Sequence, residues 1–86
     1  MTVTTEKIRT AIEDKGVDLR IVATRMELWK REGQKCHPDI GALKRYLGIT
    51  FTVQHDGSRS KRLRMRESTA VRILEAADID PWEVDL

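Results

Sequence analysis

Only one cysteine, Cys36, occurs in the 86 residues, so no disulfide can form within the chain. No run approaches the roughly 20 consecutive apolar residues of a membrane-spanning helix. The opening Met1-Thr2-Val3-Thr4-Thr5-Glu6 does not have the basic-then-apolar pattern of a signal peptide. These three absences lead us to expect a cytoplasmic chain that does not engage a membrane. Aromatic residues are few, with two Trp, one Tyr and one Phe. A single-stranded RNA binder needs exposed aromatic platforms for its bases, so that class is disfavoured. There is no Gly-rich phosphate loop, no nucleophile motif, and no pair of carboxylates on one helix face beyond ordinary surface acids. We therefore expect no enzyme, no cofactor and no small-molecule substrate. Cys36, His37, Asp39 and His55 lack the spacing of zinc ligands. A half-buried Cys and a loop His account for them, and no metal is expected. There is also no internal repeat and no low-complexity segment.

Apolar residues make up 40% of the chain and charged residues 35%, which suits one small core and a single domain over residues 1–86. The net charge of +2 conceals a strong asymmetry. Residues 1–19 hold three basic and four acidic side chains, residues 20–66 twelve basic and four acidic, and residues 67–86 one basic and six acidic. A basic middle between acidic ends suggests a surface that faces a polyanion; alternating charge on solvated faces is the plainer explanation.

Residues 5–15 read as a first helix, with Ile8, Ala11 and Ile12 on one face, Thr4 or Thr5 as its cap and Gly16 as its stop. Asp18 is a good N-cap for a second helix. There Leu19, Val22, Ala23 and Met26 form a stripe at i, i+3, i+4 and i+7, and the helix ends near Leu28 or runs on to Glu32 with Gly33 behind it. Gln34-Lys35-Cys36-His37 reads as a polar connection. Pro38 suits the first residue of a third helix, which buries Ile40, Leu43 and Leu47, carries Asp39 in its first turn and ends at Gly48.

The period then changes from helical to alternating. Ile49, Phe51 and Val53 alternate with Thr50, Thr52 and Gln54, and 60–66 alternates again around the turn signal Asp56-Gly57. With Gln54 opposite Ser60, Phe51 faces Leu63, Ile49 faces Met65, Thr52 faces Arg62 and Thr50 faces Arg64. One face is then apolar and the other Thr and Arg. Ser68 or Thr69 caps a fourth helix over 69–77, with Ala70, Val71, Ile73, Leu74 and Ala77 inward. Asp80-Pro81 starts a short turn, from which Trp82 is expected to pack back onto the core.

The run from Ala70 to Val84 resembles the closing segment of lambda-repressor-like (Cro/XRE-type) helix-turn-helix domains of phage and bacterial regulators. The stretch Val17 to Leu28 is similar to that family's second helix, with Ala23 in the place of its small packing residue. The resemblance covers the first half and the last 17 residues. Three features depart from it: a longer connection between the second and third helices, Ala77-Asp78 where the family has Leu-Gly, and the inserted hairpin at 49–66. The hairpin makes the order similar to winged helices of the excisionase type. The resemblance implies a mainly α fold: a helix-turn-helix bundle of four to five short helices with one β-hairpin, or wing, between helices 3 and 4. It further implies a transcriptional regulator of repressor or Cro-like kind that binds double-stranded DNA. The helix at 38–47 would be its recognition helix, with Gln34, Lys35, His37, Lys44 and Arg45 on or beside the DNA. Many members of the family pair on palindromic sites, which leaves room for a homodimer, but no heptad or apolar interface patch is visible here.

Independently of any resemblance, Arg62, Arg64 and Arg66 share one face of a strand about 6.6 Å apart at about 3.3 Å per residue. Arg59 and Lys61 add charge beside them. Such a row suits phosphate oxygens; a charged edge strand kept unpaired is the alternative. Arg45 or Lys44 can reach guanine and Gln34 adenine, or else Arg45 and Lys44 complement the dipole at the helix C-terminus. Two other readings stay open. One is an excisionase-like architectural protein that bends DNA. The other is a small protein-interaction module that acts on a host protein through its apolar and acidic C-terminal part.

Overall fold

The computed structural model describes residues 1–86, and its topology turns on a strand of three residues. In β1 (Thr2–Thr4) the alternation Thr-Val-Thr sends Val3 alone inward. Its antiparallel partner is β6 (Arg64–Arg66), with Thr2 opposite Arg66, Val3 opposite Met65 and Thr4 opposite Arg64. Val3 and Met65 are both buried. This pairing replaces the expected register, in which Met65 faced Ile49 and Arg64 faced Thr50. Alternation around Met65 specifies which side of the strand is apolar, but any strand with one inward apolar residue can serve as its partner.

Helix α1 (Thr5–Lys15) runs as expected and buries Ile8 and Ile12. Thr4 stands at its N-cap without a side-chain cap bond, and the Thr5 hydroxyl instead donates to the Arg62 carbonyl at 2.9 Å. Asp18 caps α2 (Leu19–Arg25) by accepting from the Arg20 amide at 2.9 Å. Helix α2 ends at Arg25 with Met26 as its C-cap, close to the nearer expected stop at Leu28 and well before Glu32. Residues 29–38 form a hairpin of β2 (Trp29–Glu32) and β3 (Lys35–Pro38), with Trp29 opposite Pro38 and Glu32 opposite Lys35. Gly33, at φ 61, sits in the turn of this hairpin and not behind a helix. Pro38 ends β3, and α3 (Ile40–Tyr46) starts after Asp39, whose carboxylate accepts from the Ala42 amide at 2.9 Å. Leu43 and Leu47 are buried and Ile40 is half-buried.

A second hairpin, β4 (Thr52–Val53) with β5 (Arg59–Ser60), has only two rungs, Thr52–Ser60 and Val53–Arg59. That is two residues away from the expected register. Phe51 and Leu63 do not form an apolar face and are 55% and 76% exposed. Helix α4 (Glu67–Ala76) begins two residues earlier than expected, with Arg66 at its N-cap, and buries Ala70, Ile73 and Leu74. Ser68 and Thr69 therefore lie inside its first turn. A 3-10 helix, Pro81–Glu83, follows, its first turn held by the Trp82 amide donating to the Asp80 carboxylate. Trp82 was expected on the core but is 91% exposed, and Ile79 and Val84 occupy the core at that end.

The chain is 44% helix and 21% strand, with four helices and three two-stranded sheets. This mixed α/β architecture overturns the mainly helical helix-turn-helix bundle with a single wing. Helices α2 and α3 do pack on each other, but a whole hairpin joins them. No helix is long and apolar enough to cross a membrane.

All four helices end in the same way. A residue with positive φ follows the last turn, and the next amide reaches back five residues: Val17 to Ile12, Leu28 to Ala23, Ile49 to Lys44 and Ile79 to Leu74. Gly16 and Gly48 supply the positive φ in two cases, but Glu27 (φ 58) and Asp78 (φ 57) supply it in the others. A non-glycine there costs about 1 kcal/mol or more, so Glu27→Gly is expected to raise stability by about 0.5–1 kcal/mol in denaturant unfolding. Gly48 has a second constraint, because a Cβ on it would lie 2.2 Å from the Arg62 carbonyl oxygen. Gly33→Ala, where nothing lies within 4 Å, is expected to cost about 1 kcal/mol. Gly48→Ala is expected to cost at least 2 kcal/mol more, roughly, by the same measurement.

Candidate nucleic-acid interface

The two hairpins stand before and after α3 in the chain, and all three elements carry the basic middle of the sequence. From Gln34 to Arg66 there are eight Lys and Arg against two acids, Asp39 and Asp56. Both acids accept hydrogen bonds from nearby residues. Asp39 caps α3. Asp56 accepts from the Ser58 hydroxyl at 2.6 Å and the Ser58 amide at 2.9 Å, and these two bonds hold its carboxyl below the ordinary aspartate value. The chain has two ion pairs, Arg25–Asp78 and Lys30–Glu32, so none of the eight cations is paired with a carboxylate.

On the first hairpin, Lys30 and His37 lie directly opposite one another, as do Glu32 and Lys35. Together with the start of α3, one face of this hairpin forms an open, polar concavity of about 500 Å3. Lys30, His37 and Arg45 line it, alongside Glu32 and Asp39. His37 and Arg45, expected from the sequence to share a surface, are thus brought together. Lys30 joins them, a residue that sequence reasoning misses because it leaves the helix end open between Leu28 and Glu32 and recognises no strand there. A signal was present in the strand-like run on either side of Gly33, but a glycine stops a helix as readily as it turns a hairpin. Gln34 and Lys35 sit exposed at the tip, and Lys44 is half-buried on α3.

The second hairpin disperses the arginine row. Arg64 and Arg66 flank the inward Met65 and share the outer side of β6, but Arg62 precedes that strand. The Arg64 guanidinium is already engaged, donating to the Thr2 hydroxyl at 2.8 Å and the Thr2 carbonyl at 3.1 Å. Arg62 lies over the Tyr46 ring, 5.2 Å from its centroid, and Lys61 over the Phe51 ring at 5.1 Å. These cation–π contacts hold the side chains and leave their charge uncompensated. Arg59, opposite Val53, is exposed.

The C-terminal dipole of α3 is met by Arg9 of α1, which donates to the Leu47 carbonyl at 3.0 Å. At the end of α4, Arg25 donates to the Ala76 carbonyl and to Asp78, both at 2.9 Å. The hydrogen bonds to these helix ends come from Arg9 and Arg25, while Lys44 and Arg45 lie in the last turn of α3, where the dipole also favours a cation. Exposed Cys36 lies opposite Arg31, and no three His, Cys, Asp or Glu side chains gather in a cluster that would hold a metal.

No protein-family model matches this chain, and neither the curated proteins nor the solved structures include a match.

The lowered carboxyl of Asp56 sets a pH dependence at the tip of the second hairpin. Asp56 accepts the Ser58 bonds as the carboxylate, so these bonds are complete above the ordinary aspartate value and are lost as pH falls through the lowered one. The Ser58 amide resonance is expected to titrate with a midpoint below the ordinary aspartate value, and Asp56→Asn to abolish that titration.

Proposed function

We propose that this chain binds double-stranded DNA, through α3 and the hairpins on either side of it, as a regulator of the repressor or Cro-like kind. The observation that carries the reading is the uncompensated charge. Eight cations lie between residues 34 and 66 against two acids, a net of +6 (eight minus two), and neither acid forms an ion pair with any of them. Charge left unneutralised on one stretch of a small fold repels itself, and a polyanion relieves that repulsion. Phosphates bound by Lys35, Arg59, Lys61, Arg62 and Arg66 would position the protein without reading sequence. A helix fits the major groove, where Arg45 and Lys44 can present donors to guanine and Gln34 can pair with adenine. His37 and Lys30 border the same concavity as Arg45, where Lys30 is paired with Glu32 and His37 offers a ring nitrogen for a polar contact.

The variant that tests this must spare the arginines with structural partners. Arg64 holds Thr2 and Arg62 covers Tyr46. Lys35, Arg45 and Arg59 are exposed and donate no side-chain hydrogen bond within the protein. Anisotropy of a labelled random-sequence duplex is expected to show binding that falls steeply between about 50 and 200 mM salt. Lys35→Ala/Arg45→Ala/Arg59→Ala should bind at least tenfold more weakly at the lower salt, roughly, and lose about one unit of salt slope per phosphate contact removed. Absence of binding at low salt, or an unchanged affinity in the triple variant, overturns the proposal.

A further inference from the structure

The residue the fold leaves most conspicuously without a partner is Trp82. It is 91% exposed, yet it does not dangle: it is the middle residue of the 3-10 helix Pro81–Glu83, whose first turn is fixed by the Asp80 carboxylate accepting from the Trp82 amide at 3.1 Å. The indole stands on the rim of an open groove of about 480 Å3 between α4 and the C-terminal segment. Val71 of α4 and Val84 supply apolar lining, while Glu67, Glu75 and Asp85 ring it with carboxylates. No lysine or arginine lines it. A tryptophan whose backbone is held in a turn, beside an apolar floor, has the composition of an interface hot spot.

We infer that this groove docks a partner protein through a segment that carries an aliphatic or aromatic side chain between lysines or arginines. The apolar side chain would cover Val71 and the indole of Trp82, and the flanking cations would meet Glu67, Glu75 and Asp85. Charge selects this occupant. The three carboxylates repel nucleic acid, and two grooves set face to face would bring carboxylates against carboxylates. The last twenty residues hold six acids and one base, so the field around the groove has the same sign as its rim. The inference does not depend on DNA binding, because it uses none of the cations between residues 34 and 66.

Trp29→Phe leaves Trp82 as the sole tryptophan and makes its emission a reporter of the groove. Three synthetic peptides serve as probes: an amphipathic leucine–lysine peptide, its leucine–glutamate counterpart, and one of lysine alone. The leucine–lysine peptide is expected to shift the emission to the blue with saturation, and the other two are not. Glu67→Lys/Glu75→Lys changes two exposed side chains, so its fold should persist by circular dichroism, and it is expected to weaken the leucine–lysine peptide at least tenfold. An equal response to the leucine–glutamate or the lysine peptide overturns the inference, as does unchanged binding in the charge-reversed variant. A blue shift that grows with protein concentration in the absence of peptide also overturns it, and assigns the groove to a second copy of the chain.

Discussion

The contact between β1 at the start of the chain and β6, some sixty residues later, is the constraint on which the other elements depend. Val3 and Met65 meet in the core, the Thr5 amide donates to the Leu63 carbonyl, the Glu67 amide donates to the Met1 carbonyl, and the Thr5 hydroxyl takes the carbonyl of Arg62. These bonds place the start of α1 and the start of α4 side by side. They also bring the Arg62 carbonyl so close to Gly48 that a side chain there has no room. Residues 49–61 are therefore a loop closed at its base, and the β4–β5 arm must project from that point. Its exposed apolar surface at Phe51 and Val53 follows from this: a short arm pinned at its base has too few residues to bury both of its faces.

The arginines divide into two groups for a related reason. Four helices in a chain this short leave many carbonyls at their C-termini, and two of those ends are met by Arg9 and Arg25 from neighbouring helices. Both side chains come from the first 25 residues. The basic residues after residue 34 donate to no helix-end carbonyl, and Arg64 holds β1 instead. Structural charge and available charge are therefore interleaved after residue 34: Arg62 and Arg64 have partners within the fold, while Lys35, Arg45 and Arg59 have none. The acids show the converse pattern. Asp18, Asp39, Asp56 and Asp80 each accept a hydrogen bond from a backbone amide, whereas Glu67, Glu75 and Asp85 have no such role and face the open groove.

How far the sequence could be read depended on whether a feature was local. The inward faces of the helices were legible from spacing alone, since Ile8 with Ile12, Val22 with Ala23, Leu43 with Leu47 and Ile73 with Leu74 are all buried where a 3.6-residue period puts them. Asp18 as a cap and Asp56-Gly57 as a turn were legible because their hydrogen bonds close within a few residues. The end of α2 was not legible. Its reversal is made by Glu27 at positive φ, and no glycine marks the place. Spacing therefore leaves the end open between Leu28 and Glu32, and Lys30 does not enter the candidate surface. Trp82 failed in another way: a large apolar residue near the end of a chain is ordinarily drawn to the core, but Ile79 and Val84 had already filled that position.

By itself, the sequence determined the helical faces, the caps and turns that close within a few residues, the absence of a disulfide, and a basic stretch between acidic ends. Each of these follows from neighbours in the chain or from a count of residues. Only the tertiary structure decided that β6 pairs with β1 and not with the strand before it, that the fold is mixed α/β, that Arg64 is engaged while Arg45 and Arg59 are free, and that Trp82 stands over a groove. The physical reason is that alternation and periodicity specify which side of an element is apolar, while its partner depends on segments some sixty residues away competing for the same inward surface.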